Sequence, residues 1–83
     1  MKKKGYLKFE ENVIEIGYNI IETIKNAYGV TYLGGDWSPD SSNFVFSIPN
    51  EKVESAFNLK KVQEILKSNS LERKLKEVFI IEE

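Results

Sequence analysis

The chain has 83 residues, 41% hydrophobic and 30% charged, with 12 basic and 13 acidic side chains and a net charge of −1. That balance argues against a dedicated nucleic-acid protein, which carries a strongly basic domain, and against an acidic mimic of DNA. The absence of cysteine removes disulfides, thiolate metal sites and thiol nucleophiles, and the absence of histidine removes the commonest general base and metal ligand.

The length predicts one domain over 1–83, with residues 1–4 frayed. A chain this small buries only about 60–65% of the surface its unfolded form exposes, so binding on an outer surface is more economical than a deep cavity. Lys2-Lys3-Lys4 resembles the charged start of a secretory leader, but Lys8, Glu10 and Glu11 interrupt the apolar run that should follow. The longest apolar run without glycine, Val78 to Ile81, is far short of a membrane span. The expected location is cytoplasmic, with no membrane contact.

In chain order, "GYLKFE" reads as a short first strand. "ENVIEIGYNIIETIKNAYG" follows with a helical period: Glu11, Glu15, Asn19, Glu22 and Asn26 form a polar stripe opposite Val13, Ile16, Ile20, Ile24 and Ala27. Gly29 suits its C-cap. A second reading makes Val13 to Gly17 a strand pairing back on Tyr6 to Phe9, with Asn19 and Glu22 as the capping box of a shorter helix. Gly29 to Leu33 and Asn43 to Ile48 read as strands joined into a hairpin by the nine residues Gly34 to Ser42. Pro49 ends the second strand, and "NEKVESAFNLKKVQEILKSN" is mainly helical. An alternative there starts the helix at Asn58 and leaves Val53 to Phe57 as a short strand. Ser68 to Ser70 break the helix, Leu71 and Leu75 allow one helical turn, and Val78 to Ile81 make a last strand.

The order β-α-β-β-α-β predicts an α+β fold: a two-layer sandwich with two helices covering one face of an antiparallel sheet, a ferredoxin-like plait. Such a fold hosts many functions, so function has to be read from particular residues.

The stretch Asp36 to Ser42 places oxygen side chains at Asp36, Ser38, Asp40 and Ser42, as a calcium loop begins. The glycine and bidentate glutamate such a loop needs are replaced by Ser41 and Ser47, so no metal and no cofactor is expected. Turn chemistry accounts for much of the stretch: Gly34-Gly35 permits positive φ, and Ser-Pro and Asp-Ser start turns. A nine-residue connection nevertheless exceeds the usual hairpin loop, and it carries the single tryptophan, so Asp36, Trp37, Ser38 and Asp40 are the candidate partner-binding residues.

Two basic clusters give an alternative. Lys3, Lys4 and Tyr6 (with Lys2 and Phe9), and Lys60, Lys61 and Lys74 (with Lys67, Arg73 and Lys76), could hold a single strand by phosphate contacts and stacking. Neighbouring glutamates dilute both clusters. Asp36, Asp40 and Glu51 are the carboxylates available for acid–base chemistry, but no phosphate cradle or nucleophile elbow accompanies them, and no enzyme is expected. The expected function is a small intracellular protein-binding module, a modulator, inhibitor, immunity-type protein or adaptor, acting through the hairpin loop or a sheet edge. The partner is another protein or, through strand Val78 to Ile81, a second copy in a homodimer.

Overall fold

The structure, a computed structural model, describes residues 3–67 and 74–82. Strand β1 (Lys3–Phe9) alternates strictly: Gly5, Leu7 and Phe9 are buried while Lys4, Tyr6 and Lys8 face the other way. The strand therefore starts at Lys3, and Lys3 and Lys4, expected to be frayed, are ordered by pairing with Ile48 and Ser47. Strands β2 (Thr31–Ser38) and β3 (Ser41–Ile48) form a hairpin, and β4 (Leu75–Glu82) closes the sheet. The spatial order is β2-β3-β1-β4 with every neighbouring pair antiparallel, the order expected of a ferredoxin-like plait.

Helices cover one face of this sheet. A 3-10 turn at Ile14–Ile16 leads directly into α1 (Gly17–Tyr28), so the α-helix begins later than the period from Glu11 predicts, and the strand alternative for Val13 to Gly17 does not form. Ile20 and Ile24 are fully buried one turn apart, and Gly29 ends the helix in a left-handed cap whose N–H bonds the Lys25 carbonyl at 2.7 Å. The next segment holds two helices, α2 (Glu51–Ala56) and α3 (Leu59–Leu66), where one was expected. Asn50 and Asn58 each accept a backbone N–H three residues on, from Val53 and Lys61, so each asparagine caps its own helix. Asn58 thus acts as the expected alternative N-cap, while Val53 to Ala56 is helix and not strand. Leu75, placed by the sequence in a helical turn, begins β4. Lys2, Ser68 to Ser70, Leu71 and Arg73 lie outside the described residues. Among the described residues, no helix is long and apolar enough to cross a membrane.

The core lies between the layers. Leu7, Phe9, Phe44, Phe46 and Ile48 of the sheet meet Ile20, Ile24, Phe57, Val62 and Leu66 of the helical layer. Full burial of each such side chain stabilises by about 1.5–3 kcal/mol relative to exposure. Ser42 is the one buried polar residue among the described residues, and its hydroxyl is satisfied twice: it accepts the Val13 N–H at 2.8 Å and donates to the Glu11 carbonyl at 2.9 Å. That pair of bonds fixes where the chain leaves β1 and turns up into α1.

Phe57, between α2 and α3, drops its ring onto β1 at Gly5. A Cβ at Gly5 would stand 2.6 Å from Phe57 Cε1 and 2.8 Å from Ile48 Cδ1. Gly5→Ala is therefore expected to destabilise by about 1–3 kcal/mol through overpacking, lowering Tm by several degrees or more in a thermal melt. Combining it with Phe57→Leu should recover part of the loss introduced by the alanine. Full additivity of the two changes would show that the two positions do not meet.

Candidate binding face

The hairpin determines where the first set of candidate residues lies. The nine residues Gly34 to Ser42 are not a loop: β2 and β3 stay paired out to Ser38 and Ser41, leaving Pro39-Asp40 as the turn. Cross-strand bonds hold the extension, Asn43 Nδ2 donating to Asp36 Oδ1 at 3.0 Å and the Ser38 and Ser41 hydroxyls lying 3.0 Å apart. Alternation then separates the candidates. Asp36 pairs with Asn43 and Ser38 with Ser41, on the face without helices. Trp37 pairs with the buried Ser42, so it points to the helix side, where it remains 48% exposed at the hairpin end. Asp40 sits in the turn. The four oxygen-bearing residues therefore do not converge, and among the described residues no group of three or more potential metal-ligating carboxylates is assembled.

The basic candidates are also divided. Lys3 faces the helices and makes a bidentate pair with Glu54 (2.7 and 2.9 Å), a hydrogen bond that raises its pKa. Lys60 and Lys61 are exposed in the first turn of α3, and Lys74 pairs with Glu11 at 2.8 Å. Glu51, the third carboxylate considered, lies exposed at the start of α2. Lys4 and Tyr6 of this set share the open face of the central strand.

That face carries what the sequence reading missed. A β-bulge interrupts β2 between Tyr32 and Gly34, with Gly34 at φ 131°, a conformation that side-chain-bearing residues rarely adopt. Tyr32 packs inward on Phe44 and Phe46, so Leu33 turns outward and is 50% exposed. The register skips Leu33 and pairs Gly34 with Val45, and from there Val45, Tyr6 and Phe79 stand in register across the sheet. Tyr6 and Phe79 stack with centroids 5.0 Å apart and planes 4° from parallel. The result is an apolar stripe, Val45–Tyr6–Phe79, that crosses three strands over about 10 Å, with the exposed Leu33 in the bulge beyond Gly34. Phe79 and Ile81 are 37% and 45% exposed on this face, and Lys4 and Lys8 flank the stripe on the central strand. Beyond Lys8 the row continues through Asn43 to Asp36 on one side and Glu77 on the other, so it carries one positive and two negative charges. One sequence signal pointed here: Val78 to Ile81 is apolar at every position, and a strand with one wet face should alternate.

Two surface recesses lie at the other layer. One, of about 110 Å³, is lined by Lys3, Ile48, Pro49, Asn50, Glu51 and Glu54. The second, of about 380 Å³, lies between the end of α1 and α2, lined by Tyr28, Asn50, Lys52 and Val53 among others. Its phenol is already engaged, Tyr28 Oη donating to the Ala56 carbonyl at 2.8 Å. No family model, curated protein or solved structure matches this chain. Its surface chemistry alone therefore carries the functional assignment.

Burial pushes the Tyr28 phenol up to about 12. An unfolded tyrosine loses its proton near pH 10, so between about pH 10 and 12 the unfolded state ionises first and stability falls as pH rises. The Lys3–Glu54 pair acts in the same direction: its contribution is present below the ordinary lysine pKa and is lost as pH climbs through the raised one. Tyr28→Phe should cost about 0.5–1.5 kcal/mol at neutral pH by removing the bond to Ala56. It should also make the fall in Tm above pH 10 shallower. Melts of both proteins across that range decide it; parallel curves would mean that Tyr28 does not contribute to the alkaline transition.

Proposed function

We propose that this chain is a small protein-binding module, a modulator, inhibitor or adaptor, whose contact surface is the open face of its sheet. The observation that carries the reading is the stripe Val45–Tyr6–Phe79, with the exposed Ile81 and the bulge residue Leu33 to either side, on the face that no helix among the described residues covers. An antiparallel sheet with a solvated face normally sets polar residues there. Contiguous apolar surface rimmed by charge is instead the make-up of a protein interface, whose core is rich in aromatic side chains and whose rim is polar. Lys4, Lys8, Asp36 and Glu77 supply such a rim with both signs of charge. Trp37, on the helix side of the hairpin end, offers a separate anchor.

Lys4, Tyr6 and Lys8 alternating on the central strand support a second reading, in which a single nucleic-acid strand stacks on the aromatic pair while lysines meet its phosphates. Asp36 and Glu77 in the same row as Lys8 oppose phosphate binding, which places this reading behind the first.

Partners captured from native lysate by the wild-type chain are the reagents for the test, with their affinities measured against purified variants. Phe79→Ser is expected to weaken binding by about 30-fold, the effect of losing a hot spot worth about 2 kcal/mol. Trp37→Ala measures the hairpin end independently. Undiminished affinity in Phe79→Ser would remove the open face from consideration. Binding of a labelled oligothymidylate, with log affinity falling against log salt at about 0.7 per phosphate contacted, would favour the nucleic-acid reading.

A further inference from the structure

The two edges of the sheet differ in how they are built. The β2 edge is broken by the bulge at Leu33 and by Gly34 at φ 131°, and it ends at Pro39 in the turn. Bulges, glycine and proline are the devices by which proteins keep an edge from pairing. The β4 edge has one bulge, at Lys76 near its start, and from Glu77 to Glu82 it has no bulge, glycine or proline and its register on β1 runs without interruption. Among the described residues, no strand pairs with its outer side. An edge of this kind presents a row of backbone donors and acceptors ready for another strand.

We propose that the strand this edge accepts is β4 of a second copy, paired antiparallel about a two-fold axis that passes between the two Phe79 residues. The sequence of β4 complements itself in that register. Lys76 stands opposite Glu82 of the other copy, and Glu82 opposite its Lys76, so two opposite-charge pairs close the ends. Val78 meets Ile80 of the other copy twice, on the side where both are half-buried against the helical layer. Phe79 meets Phe79. Over Lys76 to Glu82 the chosen register sets one charge against an apolar residue, Glu77 against Ile81, whereas sliding the pairing by two residues in one direction gives two such combinations, Lys76 against Ile80 and Glu77 against Phe79. Sliding it the other way sets Val78 against Glu82. The chosen register also joins the two apolar stripes end to end, because a two-fold axis normal to the sheet keeps both open faces on the same side. The dimer is isologous and its contact is small, so it is reversible. It is independent of what the open face binds.

Sedimentation equilibrium of the purified chain, from low micromolar to near-millimolar concentration, reads the association directly. Glu82→Lys makes both end pairs lysine against lysine, and Lys76→Glu makes both glutamate against glutamate. Each is expected to weaken self-association at least about tenfold, as two cross-strand pairs of up to about 1 kcal/mol change from attraction to repulsion. Both positions are exposed, and circular dichroism checks that each variant folds. Mixing the two single variants restores complementary pairs, so they should form a heterodimer that neither forms with itself; the double variant K76E/E82K should recover wild-type association. A chain that stays monomeric throughout the range overturns the proposal. A dimer indifferent to these changes, or single variants that fail to recombine on mixing, overturns it equally.

Discussion

Everything in this structure is referred to strand β1, because it is the one strand bonded on both sides by the chain's distant halves. Its register against β3 and β4 sets which residues of those strands face the helices. The side-chain period of a strand is two, so a slip of one residue would turn Lys4, Tyr6 and Lys8 into the core and Leu7 and Phe9 into water. Exchanging two fully buried hydrophobic residues for two lysines in a layer that lacks buried acidic partners costs more than a domain of this size has in reserve. Gly5 adds a steric condition to the hydrophobic one. It is the only place on β1 where the ring of Phe57 can descend far enough to seal that end of the core.

The same constraint leaves the outer face with a surplus. Tyr6 and Phe79 repay their position within the sheet itself, since a stacked aromatic pair across neighbouring strands contributes about 0.5–1.5 kcal/mol beyond burial. Leu33 and Ile81 have no such explanation: each is about half exposed and lies outside the stack. Leu33 is presented by the bulge, the element that at the same time blunts the β2 edge. A single local irregularity thus protects an edge from pairing with other chains and enlarges an apolar surface, and neither effect stabilises the isolated chain.

Helix α1 was legible because twelve residues of regular period outweigh one glycine and a β-branched start; Gly17 is accommodated against the ring of Phe44. The plait followed from element order alone. The hairpin was misread because Gly34-Gly35, Ser38-Pro39 and Asp40-Ser41 have the composition of a loop, whereas ladder pairing and the Asp36–Asn43 and Ser38–Ser41 contacts hold them in strand. Local propensity cannot anticipate a long-range pairing that recruits poor strand formers. The break at Phe57-Asn58 had a visible signal in the capping asparagine, but what decides it is the tertiary demand on the Phe57 ring. The candidate face was half legible: the unbroken apolar run Val78 to Ile81 announced a strand with two apolar sides, while the alignment of Val45 and Tyr6 with Phe79 requires the register of two strand pairs.

The asymmetry between the edges has a consequence for assembly. A sheet with two open edges can add copies without limit, since each addition regenerates a free edge, and such chains form fibres. Here the β2 edge is bulged in its middle and ends in a proline turn, whereas the bulge of β4 lies near its start, at Lys76, so the stretch competent to pair is Glu77 to Glu82. A β4–β4 contact about a two-fold axis consumes the competent edge of both copies at once and leaves only blunted β2 edges outside. The charges reinforce that closure, because Lys76 and Glu82 lie at opposite ends of the strand and match only when the second copy runs antiparallel. An apolar edge strand that would otherwise be an aggregation hazard is thereby restricted to a closed contact, and the open face, doubled in length, is left free for a partner.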